Sequence, residues 1–502
     1  MMQGHERSGD IEHMAVRDTA QQHDTVKTLW SPGGLLLVSL FVLGLVLRLS
    51  GLLFNGMHDL DEILFEWGSG VRVLGIARAF VENYGVLSYV LYGIAVAMAE
   101  QLPRFWWAPY KLMEVSFEAL VLAALYLVLP AGRKKFALIL YWLNPWFILH
   151  GAWQGFWDGP HTLFAWLAVL GLGKARKEKL GWVLVGLTLM TGAMFKPQGL
   201  VYFVIPVGIY LGLQWIRYRS PAFVWYVAGV VLLGALATGF LVINGGGLWQ
   251  IPSNYLTSAT VMPNLCNGCI NVWRPITIVL YTVLGPHKFV EMLGPVAPLN
   301  SLLNIIFLCA AWALVAVFSW RIPLTQERLA YSGLFLILTF ASLVMSQLGP
   351  RAHINHTYAG LVLLIPLAIA SRRVLVPWVA MVAIHLYSHL AVYHLGRAMV
   401  LPEMYLDYAP AQLLIGQVKA ALVTQAYTPL LQFQDSINQL LQRWPVEPVI
   451  TQLSMIQFVC VMMIIYELFH IARSEPDTLL DKLPGEDEAT VEEPRFYLPE
   501  RG

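Results

Sequence analysis

Charged residues are scarce in this chain. Asp, Glu, Lys and Arg make up only 13% of its 502 residues, whereas hydrophobic residues make up 57%. Since soluble domains carry about 25% charged residues, this composition excludes an ordinary soluble protein and indicates a polytopic membrane protein. The net charge of +1 gives no support to a nucleic-acid partner. The four cysteines are too few for a disulfide framework.

A secretory signal peptide is not expected either. The first 30 residues are polar and contain no hydrophobic segment of the kind that a signal peptide needs. We therefore expect residues 1–32 to be a polar cytoplasmic tail. The apolar run that follows, "GGLLLVSLFVLGLVL", is expected to be a retained first membrane span.

The apolar runs predict an all-α fold with about twelve transmembrane helices. A helix needs roughly 20 apolar residues to cross the hydrocarbon core of a bilayer. By that criterion the spans lie near residues 33–53, 112–131, 136–150, 161–173, 180–195, 199–216, 222–243, 302–320, 329–347, 358–371, 374–394 and 451–470. The uncharged segment 86–99 is only 14 residues long, so we expect an interfacial helix there.

Basic residues predict the orientation of these spans. They cluster in five short loops, "RKK" (133–135), "KARKEK" (174–179), "RYR" (217–219), "RIPLTQER" (321–328) and "RR" (372–373). The short loops that alternate with these contain only Lys196 and Arg351 as basic residues. Because cytoplasmic loops carry the positive excess, the basic loops are expected inside, together with an acidic tail at 471–502. The long segments expected outside are 54–111, 244–301 and 396–450.

The first external segment begins with an acidic stretch, "GMHDLDEILFEWG". Its carboxylates Asp59, Asp61 and Glu62 lie at a lipid boundary, where ionisable groups are costly unless they have a function. One interpretation is a solvated acidic cap on an interfacial helix. The other is a general base or a metal ligand at the membrane surface.

Three short outer turns carry the other candidate residues. Asp158 is the only acid of a Trp-rich turn, Lys196 follows "MTGAMF", and Arg351, His353 and His356 share "LGPRAHINHTYAG". Each has an ordinary structural explanation: a helix cap, a snorkelling lysine and polar loop residues. Together, however, the lysine and the arginine are typical of a phosphate clamp.

Acids and bases from segments far apart in the sequence are thus expected on one outer face. Such a face suits an acid–base reaction on a substrate whose leaving group is anionic and embedded in lipid. A sugar linked to a polyprenyl phosphate has these properties.

The order of these motifs resembles that of the GT-C glycosyltransferases, which are integral membrane enzymes that use sugars linked to lipid phosphates. "NPWFILHGAWQGFWDGP" and "MFKPQG" resemble the family's Asn-Pro, Gly-Gln-x-Asp and Lys-Pro-Gln motifs. "HDLDEILFEWGSGV" is similar to the first external loop of the family, and "PYKLMEVSFEALVLAALYLVL" to its second span. "PRAHINHTY" resembles the Arg-x-His-Glu-Asn-His turn, and "CNGCINVWRP" an Asn-x-Trp loop. The resemblance covers roughly residues 33–370.

This resemblance implies a GT-C catalytic module over 33–395, followed by an external helical loop (396–450) and a last span (451–470). It implies transfer of a sugar from a polyprenyl-phosphate donor to a hydroxyl of a glycan, glycolipid or protein. Mannose is the first candidate sugar, with arabinose and glucose as close alternatives. The configuration is inverted, and a metal cofactor is possible but not required. The active site would face away from the cytoplasm, at the cell membrane of a bacterium or the endoplasmic reticulum of a eukaryote.

The resemblance also assigns roles to residues. Asp59 or Asp61 would be the catalytic base, with Glu62 beside them. The substrate-binding residues would be Lys196, Arg351, His353, His356, Asp158 and Gln154.

Departures from the family pattern leave alternatives open. Phe156 stands where the family has Gln, although Gln154 lies two residues earlier, and Ile354 replaces the Glu of the Arg-x-His-Glu turn. One extra residue in the first loop leaves the choice between Asp59 and Asp61 open.

Two other functions remain possible: a multi-span transporter or lipid flippase, and an inactive GT-C subunit that supports a partner. The sequence halves 1–250 and 251–502 show no internal repeat of the kind that transporters often contain. Cys266 and Cys269 form an external CxxC for which we expect a disulfide, with free thiols or zinc as alternatives.

Overall fold

The structure is a computed structural model. It describes residues 32–56, 66–80, 84–175, 179–261, 270–293, 297–322, 327–350, 354–392 and 447–474. Within these ranges the regular secondary structure is helical, with no β-strand. The fold class predicted from the sequence, an all-α membrane protein, is therefore confirmed for the described part of the chain.

Nineteen α-helices are present in the described ranges, several of them extended by short 3₁₀ or π turns. They are α1 (Pro32–Leu49), α2 (Ser69–Leu74), α3 (Ile76–Ala79), α4 (Val86–Ala99), α5 (Ala108–Val128), α6 (Lys134–Ala137), α7 (Pro145–Phe147), α8 (Gly159–Ala175), α9 (Lys179–Phe195), α10 (Ile205–Tyr218), α11 (Ala222–Ile243), α12 (Gln250–Val261), α13 (Trp273–Leu293), α14 (Pro298–Trp320), α15 (Glu327–Leu348), α16 (Tyr358–Leu363), α17 (Ile365–Ala370), α18 (Arg372–Val392) and α19 (Glu447–Ser474).

Seven helical segments of the described chain are long and apolar enough to cross a membrane. They are Pro32–Leu53, Leu200–Tyr218, Ala222–Ile243, Trp273–Leu293, Pro298–Trp320, Arg372–Ala391 and Val449–Arg473. The chain is therefore a multi-pass membrane protein. Six of the seven overlap spans that the sequence predicts, and the exception is Trp273–Leu293.

Helix α13 lies in the segment 244–301, which the sequence assigns to an external loop. It is bent at Gly285, whose φ of 75° is not helical, and Pro286 follows. The longer straight piece, 273–284, rises about 18 Å at 1.5 Å per residue. Since the hydrocarbon core is about 30 Å thick, neither piece alone crosses it, and only the whole segment of 21 residues is long enough.

The predicted span near 136–150 is not one continuous helix. Pro145 has no N–H to donate to the preceding turn, and the side chain of Asn144 accepts from the Trp146 N–H at 3.0 Å to start a new helix. A wide π turn precedes this break, with the Leu143 N–H bonded to the Leu138 carbonyl at 2.8 Å. The chain bends here and presents the residues after Asn144 to the interior.

Helix α9 lies inside the bundle because glycines let its neighbour approach. A side-chain carbon on Gly186 would meet the Tyr226 carbonyl of α11, and one on Gly229 would meet the Val183 carbonyl of α9. Small residues allow such contacts between membrane helices. The opposite face of α11 exposes apolar side chains such as Val231, which suits contact with lipid.

The two ends of the bundle differ in chemistry. At the end where α9 and α10 meet their basic loops, Lys179 lies 5.3 Å from the Trp225 ring and Arg217 lies 5.1 Å from the Trp320 ring. Paired basic and aromatic side chains are typical of a membrane–water interface. The opposite end of α9 carries buried polar groups instead.

Helix α5 carries a row of buried ionisable residues. Lys111, Glu114 and Glu118 are fully buried and are spaced by three and four positions, so they lie on one face. Glu118 pairs with Arg48 of α1 at 2.7 Å, and Glu114 accepts from the Gly159 N–H. This polar face packs towards the interior, where the candidate site lies.

Candidate functional site

Asp158 is positioned by an abrupt change in chain direction. A wide helical turn, Ile148–Trp153, is followed by Gly155 with a φ of 81°, a conformation that favours glycine. The chain re-enters a helix at Gly159, whose N–H donates to Glu114 Oε1 at 2.8 Å. Asp158 thus immediately precedes α8, where the helix dipole favours an anion.

Lys196 forms a buried ion pair with this carboxylate. Its Nζ lies 2.6 Å from Asp158 Oδ1, and the two side chains are 3% and 1% exposed. The lysine follows the last residue of α9, and its N–H continues the helical pattern by bonding to the Gly192 carbonyl at 3.1 Å. The ring of Tyr84 lies 5.7 Å from the ammonium group. The structure therefore gives Lys196 an internal anionic partner.

His150 forms a hydrogen bond with the second oxygen of the same carboxylate. Its Nε2 lies 3.1 Å from Asp158 Oδ2, and its ring is fully buried. Burial opposes the charge on Asp158, but the attraction of Lys196 and the hydrogen bond from His150 hold the pKa of Asp158 well below its usual range. The carboxylate is thus ionised at neutral pH and accepts hydrogen bonds from the Lys196 ammonium group and from the His150 ring.

A second histidine extends this network to α18. His150 Nδ1 lies 3.1 Å from His389 Nε2, and His389 Nδ1 lies 3.2 Å from the Trp146 indole nitrogen. Because a carboxylate only accepts, His150 donates to Asp158 through Nε2. His389 Nδ1 faces both the Trp146 indole, which only donates, and the His385 carbonyl, which only accepts. The direction of the His150–His389 hydrogen bond therefore depends on which nitrogen of His389 carries the proton.

The turn around residue 356 joins the same region. Gln198 Nε2 lies 3.1 Å from His356 Nε2, which links the Lys-Pro-Gln segment to the turn. The ring of Tyr358, two residues later, stacks on His150 with centroids 4.9 Å apart. Three segments that are distant in sequence therefore meet at this end of the bundle.

The Asn-x-Trp segment holds the backbone just before that turn. Asn271 Nδ2 donates to the Gly349 carbonyl at 2.9 Å, and the Trp273 indole donates to the Leu348 carbonyl at 2.7 Å. These two bonds fix the end of α15. The next charged residue along the chain is Arg351.

Both ends of the first acidic stretch also adjoin the site. The ring of Phe54 lies 5.1 Å from that of Trp153, and the Phe54 carbonyl accepts from Lys111 Nζ at 2.6 Å. After the stretch, the Trp67 ring lies 5.3 Å from the ring of Tyr84, the residue beside Lys196. Phe54 thus packs against the segment that carries Asp158, and Trp67 packs against the tyrosine beside Lys196.

Several predicted site residues fall outside the described ranges. These are Asp59, Asp61, Glu62, Arg351 and His353, together with Cys266 and Cys269.

Of the other predicted residues, Asp158 and Lys196 are in direct contact, and His356 contacts the Lys-Pro-Gln segment. Gln154 is buried and donates to the His389 carbonyl at 3.3 Å. Phe156, at the position where the related motif has Gln, stacks on His150 with ring centroids 4.6 Å apart.

The sequence reasoning did not single out His150 or His389. His150 lies within the Trp-rich stretch, in which Asp158 is the only acid. His389 lies beyond residue 370, outside the region of family resemblance, but the spacing of His385 and His389 was a usable signal. Two histidines four residues apart share one helix face.

The described residues contain no group of three or more His, Cys, Asp or Glu side chains arranged to hold a metal ion. What they do contain is an ionised carboxylate held between a lysine and a relay of two histidines. In comparisons with known proteins, no family model matches the chain and no curated protein is significantly similar to it.

Proposed function

We propose that the protein is a GT-C glycosyltransferase with about twelve membrane spans. It would move a sugar, with mannose as the first candidate, from a polyprenyl-phosphate donor to an acceptor hydroxyl and invert the anomeric configuration. The acceptor would be a glycan, a glycolipid or a protein, and the reaction would take place on the extracytoplasmic face.

The observation that carries this proposal is the contact between separate motifs. Lys196 contacts Asp158, and Gln198 contacts His356. These residues belong to three of the segments in which the sequence resembles the family. If these motifs were only parts of an aromatic belt at the membrane interface, contacts between their polar residues inside the protein would not be expected.

The reaction needs a cation beside the leaving group. The acceptor oxygen attacks the anomeric carbon, the bond from that carbon to the phosphate oxygen breaks, and the phosphate leaves with the electron pair. Lys196 is the cation that we assign to this phosphate, with Arg351 as the second. A cation fixed in advance at the developing charge lowers the barrier without reorganisation.

Asp158 has the role of holding Lys196 in place. An unpaired ammonium group in a buried position is costly, and Asp158 supplies its counter-charge at 2.6 Å. His150 fixes the other carboxylate oxygen, so the pair cannot rotate freely. The proton of the acceptor hydroxyl goes to a different carboxylate, Asp59 or Asp61, which we propose as the catalytic base.

The decisive test has two stages. Mass spectrometry of glycolipids and envelope glycans, with and without the gene, should reveal a missing hexose or pentose and thereby the acceptor. Transfer is then measured with purified protein in lipid nanodiscs and a synthetic polyprenyl-phosphate mannose. Asp59→Asn and Asp61→Asn should differ, with one reduced by ~10²–10⁴-fold in rate.

Lys196→Gln should raise the KM for the donor more than the KM for the acceptor. Arg351→Lys should also impair donor use, because a point charge does not reproduce a two-pronged contact. If both Asp variants retain most of their activity, or if the glycans do not change on deletion, the proposed reaction is wrong.

The side of the membrane is tested separately by cysteine labelling. Gln101 and Arg219 are both exposed and lie in loops that the charge pattern assigns to opposite sides. In a variant that lacks the native cysteines, Gln101→Cys should react with an impermeant thiol reagent in intact cells. Arg219→Cys should react only after permeabilisation, and the reverse result would place the site in the cytoplasm.

A further inference from the structure

A second polar cluster lies next to the candidate site and has no role in the reaction described above. It is formed by Gln347 of α15, His385 of α18 and Gln457 of α19, all of them buried. Gln457 Nε2 lies 2.8 Å from Gln347 Oε1 and 3.0 Å from His385 Nε2. Three helices from distant parts of the sequence thus meet at one amide group.

The hydrogen bonds within the cluster leave other polar atoms unused. Because Gln457 Nε2 donates, His385 Nε2 accepts and the proton of the neutral ring is on Nδ1. His385 Nδ1, Gln457 Oε1 and the Gln347 amide nitrogen have no hydrogen-bond partner within the described structure. The hydroxyl of Ser388, three residues after His385, is also buried without one. The unused groups therefore comprise both donors and an acceptor.

Such groups are unfavourable inside a membrane protein unless something binds to them. Buried polar groups are nearly always hydrogen-bonded, and the hydrocarbon core supplies no partner. The three residues that form the cluster are neutral amides and a neutral imidazole, so a charged ligand would lack a counter-charge. A hydroxyl group, which both donates and accepts, matches the unused atoms.

The cluster is connected to the candidate site through α18. The His385 carbonyl lies 2.9 Å from His389 Nδ1, and the ring of His385 lies 5.2 Å from that of Trp146. Gln347 immediately precedes the end of α15, which leads to Arg351. His385 is seven residues from the end of α18, or about 10 Å along the helix axis, so the cluster lies on the same side of the bundle as Asp158.

We propose that Gln347, His385 and Gln457 form a subsite that binds the hydroxyl groups of a neutral sugar unit. This inference rests on the proposed function and adds to it the recognition of sugar hydroxyls that do not react. The sugar could belong to the donor or to the acceptor, since both present the same chemistry.

Binding is tested directly with methyl α-mannoside and its fully O-methylated derivative, which cannot donate hydrogen bonds. Saturation-transfer NMR on the full-length protein in nanodiscs should detect the mannoside and not the methylated derivative. Gln457→Met and Gln347→Met keep the length of the side chain and remove its hydrogen bonds, and both should abolish the signal. Methyl glucoside and methyl arabinoside extend the panel to the other candidate sugars.

Gln214→Met is the matched control. Gln214 is another buried glutamine, but it donates to the Ile322 carbonyl at 2.7 Å at the opposite end of the bundle. This variant should bind the mannoside as the unmodified protein does. Equal signals from Gln457→Met and Gln214→Met, or no signal from any glycoside, would overturn the subsite and leave a cluster that holds structural water only.

The transfer assay separates this inference from the proposed reaction. Gln457→Met should raise one KM by about tenfold, the factor that one ordinary hydrogen bond supplies. A change in the donor KM assigns the subsite to the donor sugar, and a change in the acceptor KM assigns it to the acceptor. Transfer with unchanged KM values would refute the subsite alone. Sugar binding that depends on Gln457, in a protein without transferase activity, would refute the reaction alone.

Discussion

Two ion pairs between a basic side chain and a carboxylate are fully buried in the described part of the chain, and their surroundings differ. The Arg48–Glu118 pair joins the interiors of α1 and α5, and both side chains are fully buried. Its guanidinium group also donates to the Trp142 carbonyl and lies 3.8 Å from the Trp142 ring. The Lys196–Asp158 pair lies at helix ends. Its carboxylate is also hydrogen-bonded to His150, which in turn contacts His389.

The difference distinguishes an ion pair that connects helices from an ion pair that we assign to substrate binding. Buried ion pairs are not stabilising by themselves, because the cost of removing two charges from water offsets their attraction. The Arg48–Glu118 pair is enclosed by a carbonyl, an aromatic ring and the Tyr358 hydroxyl, which suits a structural connection between helices. The Lys196–Asp158 pair lies where α8 begins and α9 ends, and in the proposed reaction the donor phosphate would take the place of Asp158 beside Lys196.

The largest expected effect comes from removing one partner of either pair. Arg48→Met and Asp158→Leu each leave an uncompensated buried charge, which typically costs about 3–5 kcal/mol of unfolding free energy. Replacing both partners, as in Arg48→Met with Glu118→Leu or Lys196→Met with Asp158→Leu, should recover most of this stability. Chemical denaturation in mixed micelles measures the change.

The transfer assay then distinguishes the pairs. The Arg48/Glu118 double variant should retain transfer, whereas the Lys196/Asp158 double variant should be stable and inactive. If transfer is lost to the same extent in both stable double variants, the distinction between a structural pair and a functional pair is wrong.

An intermediate effect is expected from the histidine chain. His389→Leu leaves His150 Nδ1 without its hydrogen-bond partner, and an unsatisfied buried group costs about 1–3 kcal/mol. Thermal unfolding should report this loss, and the rate of transfer should fall because Asp158 is held less firmly.

The matched control is Tyr141→Phe, beside the other ion pair. It removes the 2.8 Å hydrogen bond between the Tyr141 and Tyr358 hydroxyls and should cost about 1 kcal/mol with little change in transfer. A His389→Leu variant with normal kinetics would limit the histidine to a packing role.

The smallest effect is expected at an exposed ion pair. Arg72 and Glu100 lie 2.7 Å apart, but their side chains are 46% and 32% exposed. Exposed pairs contribute about 0–1 kcal/mol because water and salt screen them. Arg72→Gln should therefore leave the unfolding free energy almost unchanged, and a loss comparable to that of Asp158→Leu would show that burial does not explain the difference.

Helices with an uninterrupted apolar run could be predicted well from the sequence. The span expected at 222–243 coincides with the helix Ala222–Ile243, because such a run has only one stable backbone state in lipid. The break at Asn144 was not predicted, although Pro145 was its visible signal. The bent helix that begins at Trp273 was also not predicted, because its charged residues and Gly285 interrupt the apolar run by which a span is recognised.

The site could be predicted only in part. Lys196 and Asp158 stood out because each is an isolated charge in an apolar setting, and such charges need partners. His389 could not be assigned in the same way, because its partner depends on how α18 packs against the Trp-rich turn. The cluster around Gln457 was likewise invisible, since a single glutamine in an apolar helix does not reveal which other helices it faces.

The buried row on α5 has a consequence for how the protein enters the membrane. Lys111, Glu114 and Glu118 are fully buried once the helices are packed. The sequence predicts that α5 crosses the membrane, and during synthesis it emerges without its later neighbours. Each charged residue at the centre of a helix costs about 2.5–3.5 kcal/mol for insertion by the translocon. Helix α1 is made first and carries Arg48, so it can offer Glu118 a counter-charge. We expect α1 to be retained at the translocon until α5 arrives, and the two helices to enter the lipid as a pair.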